Sequence, residues 1–195
     1  MSKYRVIISL EGIDGAGKTT LVGLLKKEYG EEVCVYSRTK KGRLAKWLLG
    51  SFFIKNNYIL QIPIYLLLSY KNYFACRYQH TASILLMDRC FLSNICYYYP
   101  SAMNNEILFK LAMLFELKLY PDEIFIIDEE PIVAQERDKM DKDLNWLTNT
   151  RINYLIAKRA MALRKFNITV IPNSLTIEEK QKLISIKMKE VGDRK

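Results

Sequence analysis

Eight consecutive residues near the start of the chain have the types and the spacing that bind a polyphosphate. They match the pattern GxxxxGK[ST] at every fixed position and are Gly12, Ile13, Asp14, Gly15, Ala16, Gly17, Lys18 and Thr19. The glycines let successive backbone N–H groups approach phosphate oxygens at the positive end of a helix. In such a loop the lysine bridges the terminal phosphates and the hydroxyl group after it is a magnesium ligand. The pattern therefore predicts a site for a nucleoside triphosphate with magnesium.

Two acidic residues compete for a second role at this site, which is to hold the metal or a water molecule. Asp88 ends one apolar run and is followed by Arg89, whereas Asp128 ends another and is followed by Glu129. The pair Asp128-Glu129 is typical of motor and DNA-remodelling ATPases. Asp88 with Arg89 suits a site for a metal and a second phosphate, because a guanidinium group binds phosphate through two parallel hydrogen bonds. The residues alone leave both the kinase and the ATPase interpretations open.

Apolar runs that alternate with segments of helical period must position these residues. Strands are predicted at 4–10, 33–36, 84–87, 124–127 and 168–171, and the clearest helix at 105–119. Continuous apolar strands separated by helices indicate a parallel sheet that is covered on both faces. We predict an α/β fold of the three-layer P-loop NTPase type, with five buried parallel strands, in a single domain over residues 1–195. The last helix is predicted to start near Thr176, whose hydroxyl group can cap it.

The overall composition excludes several other classes of protein. The chain has 195 residues, of which 50% are hydrophobic and 26% are charged, which excludes a disordered chain. The longest nearly apolar stretch, 58–68, is too short to cross a bilayer, and no secretory signal is expected, so we expect a cytoplasmic protein without a membrane partner. The four cysteines form no CxxC pair and are predicted to be buried: Cys34, Cys76, Cys90 and Cys96. The net charge of +9 suits a polyanionic partner.

Three segments that carry these residues resemble the thymidylate kinase family, a branch of the nucleoside monophosphate kinases. Residues 11–20 read EGIDGAGKTT and are close to the phosphate-binding loop of the family. Residues 88–97 read DRCFLSNICY and resemble its DRYxxSxxAY motif, with Cys90 in place of the tyrosine. Residues 121–137 resemble its PDxxxxLDxxxxxAxxR segment. The resemblance implies magnesium-dependent transfer of a phosphoryl group from ATP to a nucleoside monophosphate, with dTMP favoured, and it implies that Asp88 rather than Asp128 serves the metal.

The resemblance also implies roles for individual residues. The metal ligands would be Thr19 and Asp88. The groups around the transferred phosphoryl would be Asp14, Lys18, Arg38 and Arg89. ATP would contact Gly12, Asp14, Gly15, Ala16, Gly17, Lys18, Thr19 and Thr20, with Arg137 and the turn at 172–174 near the adenine. The acceptor would contact Asp14, Arg38, Lys71, Arg89, Asn94 and Tyr97. Tyr97 would lie against the 2′ position of the sugar, although a place in a core aromatic cluster is the alternative.

The chain departs from the family pattern at three places. Arg38 begins a run of five basic residues within 38–46, where the family often reads Arg-Glu-Pro-Gly, and a merely solvated basic segment is the alternative. The lid, at about 137–146, is short and offers lysines beside Arg137, although lysine lacks the planar fork of arginine. The pattern around the base-reading arginine points to Arg77, whereas the rise per residue of strand and helix places Lys71 at the level of the base. We favour Lys71, and either residue leaves the choice of base open.

The favoured function is thus phosphoryl transfer from ATP to dTMP by a nucleoside monophosphate kinase. The alternatives are a nucleic-acid-dependent ATPase that uses Asp128 and Glu129, and a degenerate homologue that only binds nucleotides. A nucleic-acid partner is not expected, because the chain has no recognisable DNA-reading module. The resemblance further implies a homodimer, for which the apolar segments 47–53 and 59–68 are candidates, although they suit an ordinary core equally well.

Overall fold

A computed structural model of the chain describes residues 6–37, 82–98, 104–105, 109–110, 120–138 and 143–194. The strands in these ranges are β1 (Val6–Glu11), β2 (Val33–Ser37), β3 (Ile84–Asp88), β4 (Glu123–Ile127) and β5 (Ile168–Ile171). All five are parallel and form one sheet in the order β2-β3-β1-β4-β5. The five predicted strands are therefore confirmed. The first two residues predicted for β1, 4 and 5, lie outside the described ranges.

The helices in the described ranges are α1 (Lys18–Tyr29), α2 (Phe91–Tyr98), α3 (Pro131–Asp138), α4 (Leu144–Leu163) and α5 (Ile177–Asp193). A 3-10 turn, Gly30–Glu32, joins α1 to β2. Helix α1 packs against α5, and α4 packs against α2 and α3, so the two groups cover the sheet as the predicted α/β fold requires. None of these helices has both the length and the apolar character that a bilayer span needs. Most of the helix predicted at 105–119 lies outside the described residues, and its residues 109 and 110 are helical.

The helix starts differ in how their backbone N–H groups are capped. The hydroxyl group of Thr176 accepts a hydrogen bond from the Glu179 backbone N–H at 3.2 Å, and the Glu179 carboxylate accepts one from the Thr176 backbone N–H at 2.8 Å. This capping box confirms the predicted start of α5. The carboxylate of Asp143 caps α4 by accepting a single hydrogen bond, from the Asn145 backbone N–H at 2.9 Å. Helix α1 has neither a side-chain cap nor an acidic residue in its first turn, so its positive end lacks compensation from its own side chains.

Burial varies across the sheet. Every residue of β1, β3 and β4 is buried, which accounts for the mostly apolar sequences of these strands. The expectation of five buried strands is wrong for β5, in which Ile168, Thr169 and Val170 are only half-buried. Among the described strands β5 pairs with β4 alone, because it stands last in the sheet order. Cys34, Cys90 and Cys96 are buried, as predicted, and burial raises the pKa of Cys96. Cys76 lies outside the described residues.

The sheet order brings three strand ends together. Leu10 of β1 is in register with Asp88 of β3, and Asp88 is in register with Ser37 of β2. On one side of β1 the sheet continues through β3 to β2, and on the other side it continues through β4 to β5. Ligands of open parallel sheets bind outside the carboxyl ends of the strands at such a switch point. The loop after β1 and the residues after β3 therefore meet where a ligand is expected.

Candidate active site

The loop between β1 and α1 is shaped by two glycines. Gly12 has a φ of 136°, and a Cβ atom there would lie 2.5 Å from the carbonyl oxygen of Ile127 at the end of β4. Gly15 has a φ of 82°, and a Cβ atom there would overlap the carbonyl of Ala134 in α3. Other residues rarely adopt such φ values and would also need the space that the neighbouring backbone fills. The two glycines thus fix the path of the loop toward the positive end of α1.

Lys18 is buried within this loop. Its Nζ donates hydrogen bonds to the carbonyl oxygens of Gly12 at 3.0 Å and Ile13 at 2.5 Å. Burial, followed by the positive charge of Arg89, lowers the pKa of Lys18 from 10.5 to about 7. An anion near Nζ would favour the ammonium form and raise this pKa again. Ala16 is buried in the same loop, whereas Thr19 and Thr20 are exposed at the start of α1.

Arg89 joins the end of β3 to the loop. Its Nη1 donates to the carbonyl oxygen of Gly12 and to the hydroxyl oxygen of Ser93, both at 3.2 Å, and its Nη2 forms an ion pair with Asp14. The guanidinium carbon also lies 5.0 Å from the centre of the Tyr97 ring. The structure therefore brings together Asp14, Lys18 and Arg89, which the sequence placed in one site. Burial alone lowers the pKa of Arg89, but the nearby tyrosine hydroxyls and carboxylates outweigh burial and raise this pKa above its ordinary value.

The backbone of Arg89 is strained. Its φ of 74° lies in the left-handed region, which costs a residue with a side chain about 1–2 kcal/mol. The backbone N–H of Arg89 donates to the carbonyl oxygen of Leu10 at 3.1 Å, which continues the ladder between β1 and β3 for one more residue. The strained conformation aims the guanidinium group back over the loop. Such strain is common at functional sites, where the surrounding contacts over-determine it.

A buried carboxylate that the sequence analysis did not select lies beneath Arg89. Glu11, the last residue of β1, is 0% exposed. Its Oε2 accepts hydrogen bonds from the hydroxyl groups of Ser93 at 2.6 Å and Tyr154 at 2.9 Å. Its Oε1 accepts from the backbone N–H of Cys90 and from the hydroxyl group of Ser9. Burial raises the pKa of Tyr154, so its hydroxyl group remains a donor at neutral pH. A glutamate at the end of an otherwise apolar strand was the signal that could have identified this residue.

Asp88 and Thr19 have the chemistry of magnesium ligands. Asp88 is 7% exposed and ends the strand beside the loop, and Thr19 is the second residue of α1. A carboxylate oxygen and a hydroxyl oxygen are both hard ligands of the type that magnesium prefers, and magnesium in phosphoryl-transfer sites takes most other ligands from water and substrate phosphates. Within the described ranges no group of three or more His, Cys, Asp or Glu side chains could hold a metal ion. The donor set thus fits a metal that arrives with a nucleotide.

Tyr97 belongs to an aromatic cluster at the edge of this site. Its ring makes edge contacts with Trp146, at 5.1 Å between centroids, and with Tyr154, at 6.1 Å. Its hydroxyl group donates to the carbonyl oxygen of Gly12 at 3.3 Å. Burial raises the pKa of Tyr97, so this hydroxyl group remains protonated at neutral pH. Tyr97 thus contacts an aromatic cluster and also reaches the phosphate-binding loop.

The second acidic pair has other partners. The Arg151 guanidinium, on α4, donates to both carboxylate oxygens of Asp128, at 2.7 and 2.9 Å, and to Glu130 at 2.8 Å. Glu129 is buried and lies 2.6 Å from Arg137 and 3.8 Å from Lys180. Hydrogen bonds from Arg151 to Asp128 raise the pKa of Arg151. These contacts support the interpretation that Asp128 is mainly structural. The sequence analysis identified neither Arg151 nor Lys180.

Several predicted site residues fall outside this description. Arg38, Lys71 and Arg77 lie outside the described residues, as do residues 139–142 of the predicted lid. The backbone of Asn94 is part of α2, and its side chain is outside the description.

Two predicted contacts of the adenine lie within the described residues. Arg137 lies at the end of α3, where its side chain is 55% exposed and pairs with Glu129. The turn at 172–174 is exposed.

Comparison with known proteins identifies the family. The sequence profile of the thymidylate kinase family matches residues 10–184. The chain belongs to the thymidylate kinase family. It is 29% identical over 184 residues to a probable thymidylate kinase of Sulfurisphaera tokodaii, covering 88% of this chain and 90% of that relative. It is 33% identical over 150 residues to the thymidylate kinase of Wolbachia pipientis, covering 69% of each. It is 32% identical over 135 residues to the thymidylate kinase of Anaplasma phagocytophilum and spans 61% of that relative.

A solved structure agrees with this assignment in fold. The crystal structure of thymidylate kinase from Ehrlichia chaffeensis superposes with a TM-score of 0.65 at 19% identity, covering 96% of this chain and 99% of that one. The predicted family and the predicted α/β P-loop fold are therefore confirmed. Membership places the chain among the nucleoside monophosphate kinases, which are phosphotransferases.

Proposed function

We propose that this chain transfers the γ-phosphoryl group of ATP to dTMP, with magnesium, to give ADP and dTDP. One observation carries the proposal. Two cationic groups from different elements, Lys18 of the loop and Arg89 after β3, both donate to the carbonyl oxygen of Gly12, at 3.0 and 3.2 Å. Lys18 belongs to the loop that would bind the phosphates of the donor. Arg89 lies outside that loop, after β3. A donor and an acceptor phosphate held by these groups would therefore lie side by side.

The donor half of the site consists of the loop and the start of α1. Backbone N–H groups of residues 12–20 and the Lys18 ammonium group would bind the β- and γ-phosphates of ATP. The uncapped positive end of α1 supports this, because an anion would compensate it. Thr19 and Asp88 would hold magnesium, which neutralises charge on the β- and γ-phosphates when it is bound. Arg137, beside the turn at 172–174 in the family pattern, would lie near the adenine.

The acceptor half consists of residues around Arg89. The guanidinium fork of Arg89 would bind the phosphate of dTMP through parallel hydrogen bonds, while Asp14 keeps the fork oriented through its ion pair. Tyr97 would lie against C2′ of the sugar and leave no room for a ribose hydroxyl group. We extend the family resemblance to Arg38 at the phosphate and to Asn94 and Lys71 at the base, with Arg77 as the alternative to Lys71.

Positioning and charge neutralisation suffice for this reaction. The acceptor oxygen must lie in line with the bond from the γ-phosphorus to its leaving oxygen, and the charge that spreads over the transferred group must be met by fixed cations. Lys18 and Arg89 flank the same carbonyl oxygen and can meet that charge from two sides. No covalent intermediate on the protein is needed. The transfer is a single in-line displacement between two bound nucleotides.

The test is an ADP-release assay with magnesium and each nucleoside monophosphate in turn. We expect dTMP to stimulate ADP release most strongly and its ribose analogue to stimulate it less. Arg89→Ala should abolish the stimulation, whereas Arg89→Lys should retain a small part of it, because lysine has no fork. The proposal fails if no monophosphate stimulates ADP release. DNA-stimulated hydrolysis that survives Arg89→Ala would instead support the ATPase alternative.

The base contact needs a separate pair of variants. Lys71→Ala should raise the KM for dTMP more than Arg77→Ala does, because the ideal rise per residue of strand and helix favours residue 71 at the level of the base. The reverse order would assign the base to Arg77. Neither variant should change the KM for ATP, which serves as the internal control.

We also propose that the chain acts in the cytoplasm as a homodimer of single-domain subunits, each with a short lid at about 137–146. The support is the family resemblance and the apolar character of segments 47–53 and 59–68. Light scattering on the purified protein should give twice the 22.9 kDa chain mass. A monomer at micromolar concentration would contradict the dimer without affecting the proposed reaction.

A further inference from the structure

We propose that Glu11 is a positioning residue, which holds the turn that carries Arg89 in place against the phosphate-binding loop. The kinetic consequence of this role rests on the function proposed above. The structural role itself rests on the hydrogen bonds of one buried carboxylate.

The first observation is where the side chain of Glu11 makes its bonds. Three of its partners, Cys90, Ser93 and Tyr154, lie after β3 or on α4, and the fourth, Ser9, is on its own strand. None of the four belongs to the loop of residues 12–19. The carboxylate therefore acts on the acceptor half of the site, although its backbone directly precedes the donor loop.

The second observation is the conformation of Arg89. The peptide after this left-handed residue carries the Cys90 N–H group, and that N–H group donates to Glu11. The peptide before it carries the Arg89 N–H group, which donates to the carbonyl oxygen of Leu10. Both peptide groups that flank the strained residue are thus held by β1. The bond from Cys90 fixes the second of them, and without it Arg89 could relax toward an ordinary φ and turn its guanidinium group away.

The third observation is an indirect link to the guanidinium group itself. Ser93 donates from its hydroxyl group to Glu11 at 2.6 Å and accepts from Arg89 Nη1 at 3.2 Å. A serine hydroxyl has one proton, so donation to Glu11 orients its lone pairs toward Arg89. A carboxylate suits this role because it only accepts hydrogen bonds. The amide of a glutamine would present N–H groups to donors on one side.

The fourth observation joins Glu11 to the aromatic cluster. The Tyr154 hydroxyl group donates to Glu11, and the Tyr154 ring makes an edge contact with Tyr97, the residue that we place against the sugar. Glu11 thereby fixes both the phosphate-binding and the sugar-facing sides of the acceptor half. Its loss should affect dTMP more than ATP.

The experiment compares Glu11→Gln with Glu123→Gln. Glu123 is a matched control, because it is also a buried glutamate that accepts from a hydroxyl group, that of Thr169 at 2.7 Å, and it lies at the opposite, amino end of β4. For Glu11→Gln we expect the KM for dTMP to rise about 10- to 100-fold, the range expected for a displaced positioning group, while the KM for ATP stays within about threefold. Ser93→Ala should show the same split with a smaller rise. Glu123→Gln should lower thermal stability without any split.

A second readout does not depend on activity. Hydrogen exchange of the Cys90 amide, followed by NMR, should accelerate about tenfold or more in Glu11→Gln and remain unchanged in Glu123→Gln, because the Cys90 N–H group loses its acceptor geometry. Equal increases in both KM values, a split also seen in Glu123→Gln, or an unchanged Cys90 exchange rate would each overturn the proposal. Wild-type protein that turns over no monophosphate would refute the proposed function alone, and the exchange rates would still decide the role of Glu11.

Discussion

Replacing Asp128 with asparagine removes the negative charge that Arg151 holds while keeping the size of the side chain. In the native protein Nε and Nη2 of Arg151 donate to the two carboxylate oxygens at 2.7 and 2.9 Å. An amide has one carbonyl oxygen, so it can accept only one of the two bonds, and its own N–H groups would face the guanidinium group. Arg151 would keep its bond to Glu130 at 2.8 Å. The substitution therefore removes about one charge-assisted hydrogen bond and the charge of one partner.

The structure sets the size of the effect. The side chains of Asp128 and Arg151 are 15% and 24% exposed, so water screens this pair less than a surface pair, which contributes about 0–1 kcal/mol. A hydrogen bond to a charged group contributes about 1.5–3 kcal/mol. We expect Asp128→Asn to lower the free energy of unfolding by about 2 kcal/mol. For a domain of this size that corresponds to a fall in Tm of about 4–8 °C.

Thermal melts and the ADP-release assay should be run on the same preparations. Asp128→Asn should keep kcat/KM for dTMP within about threefold of wild type at a temperature well below its Tm. Asp88→Asn is the comparison, and it should lower kcat more than tenfold because a magnesium ligand is lost. If Asp128→Asn left the Tm unchanged and abolished turnover, the acid of the reaction would be Asp128, and the assignment of Asp88 would be refuted.

Three further predictions concern the loop and the helix ends. Gly15→Ala should prevent the native loop from forming and lower both the Tm and ATP affinity, because a methyl group there meets the carbonyl of Ala134; wild-type values in calorimetry would contradict this. Since the pKa of Lys18 is about 7 in the nucleotide-free protein and an anion raises it, ATP binding should take up a proton and weaken about fivefold between pH 7 and pH 8. Titration calorimetry in two buffers would measure the proton uptake. Arginine does not titrate in this range, so Lys18→Arg should lose the part of the pH dependence of ATP affinity that is due to Lys18. Thr176→Ala should lower the Tm by about 2–4 °C through loss of one helix cap, and an unchanged Tm would show that the capping box adds no stability.

Sequence patterns predicted those parts of the fold that depend on neighbouring residues. The apolar runs became strands because their side chains are buried on both faces, and the glycine-rich loop is defined by eight adjacent positions. Contacts between distant residues had no such signal. Glu11 meets Tyr154 across 143 positions, and Arg151 meets Asp128 across 23. Many hydrogen-bond donors in the sequence could have partnered either acid, and the packing of α4 against α2 and α3 selects the pairs.

The half-buried state of β5 illustrates the same limit. Its residues, Ile168–Ile171, are as apolar as those of β4, so their sequence favours full burial. The strand stands last in the sheet, yet β2 at the opposite edge is mostly buried, so burial at an edge depends on which elements pack over it. Burial of a strand is therefore a property of its position as well as of its residues.

The sheet order also determines when the site can form during synthesis of the chain. β1 pairs with β3 and β4, and neither strand follows it directly in the sequence. The phosphate-binding loop is made before Arg89, and Tyr154 with its bond to Glu11 is added later still. Long-range pairings of this kind form slowly because a long loop must close first. A nascent chain that ends before Tyr154 already contains the complete GxxxxGKT motif but lacks the buried contacts that complete the site. The motif therefore cannot form the native site until the later residues have been added.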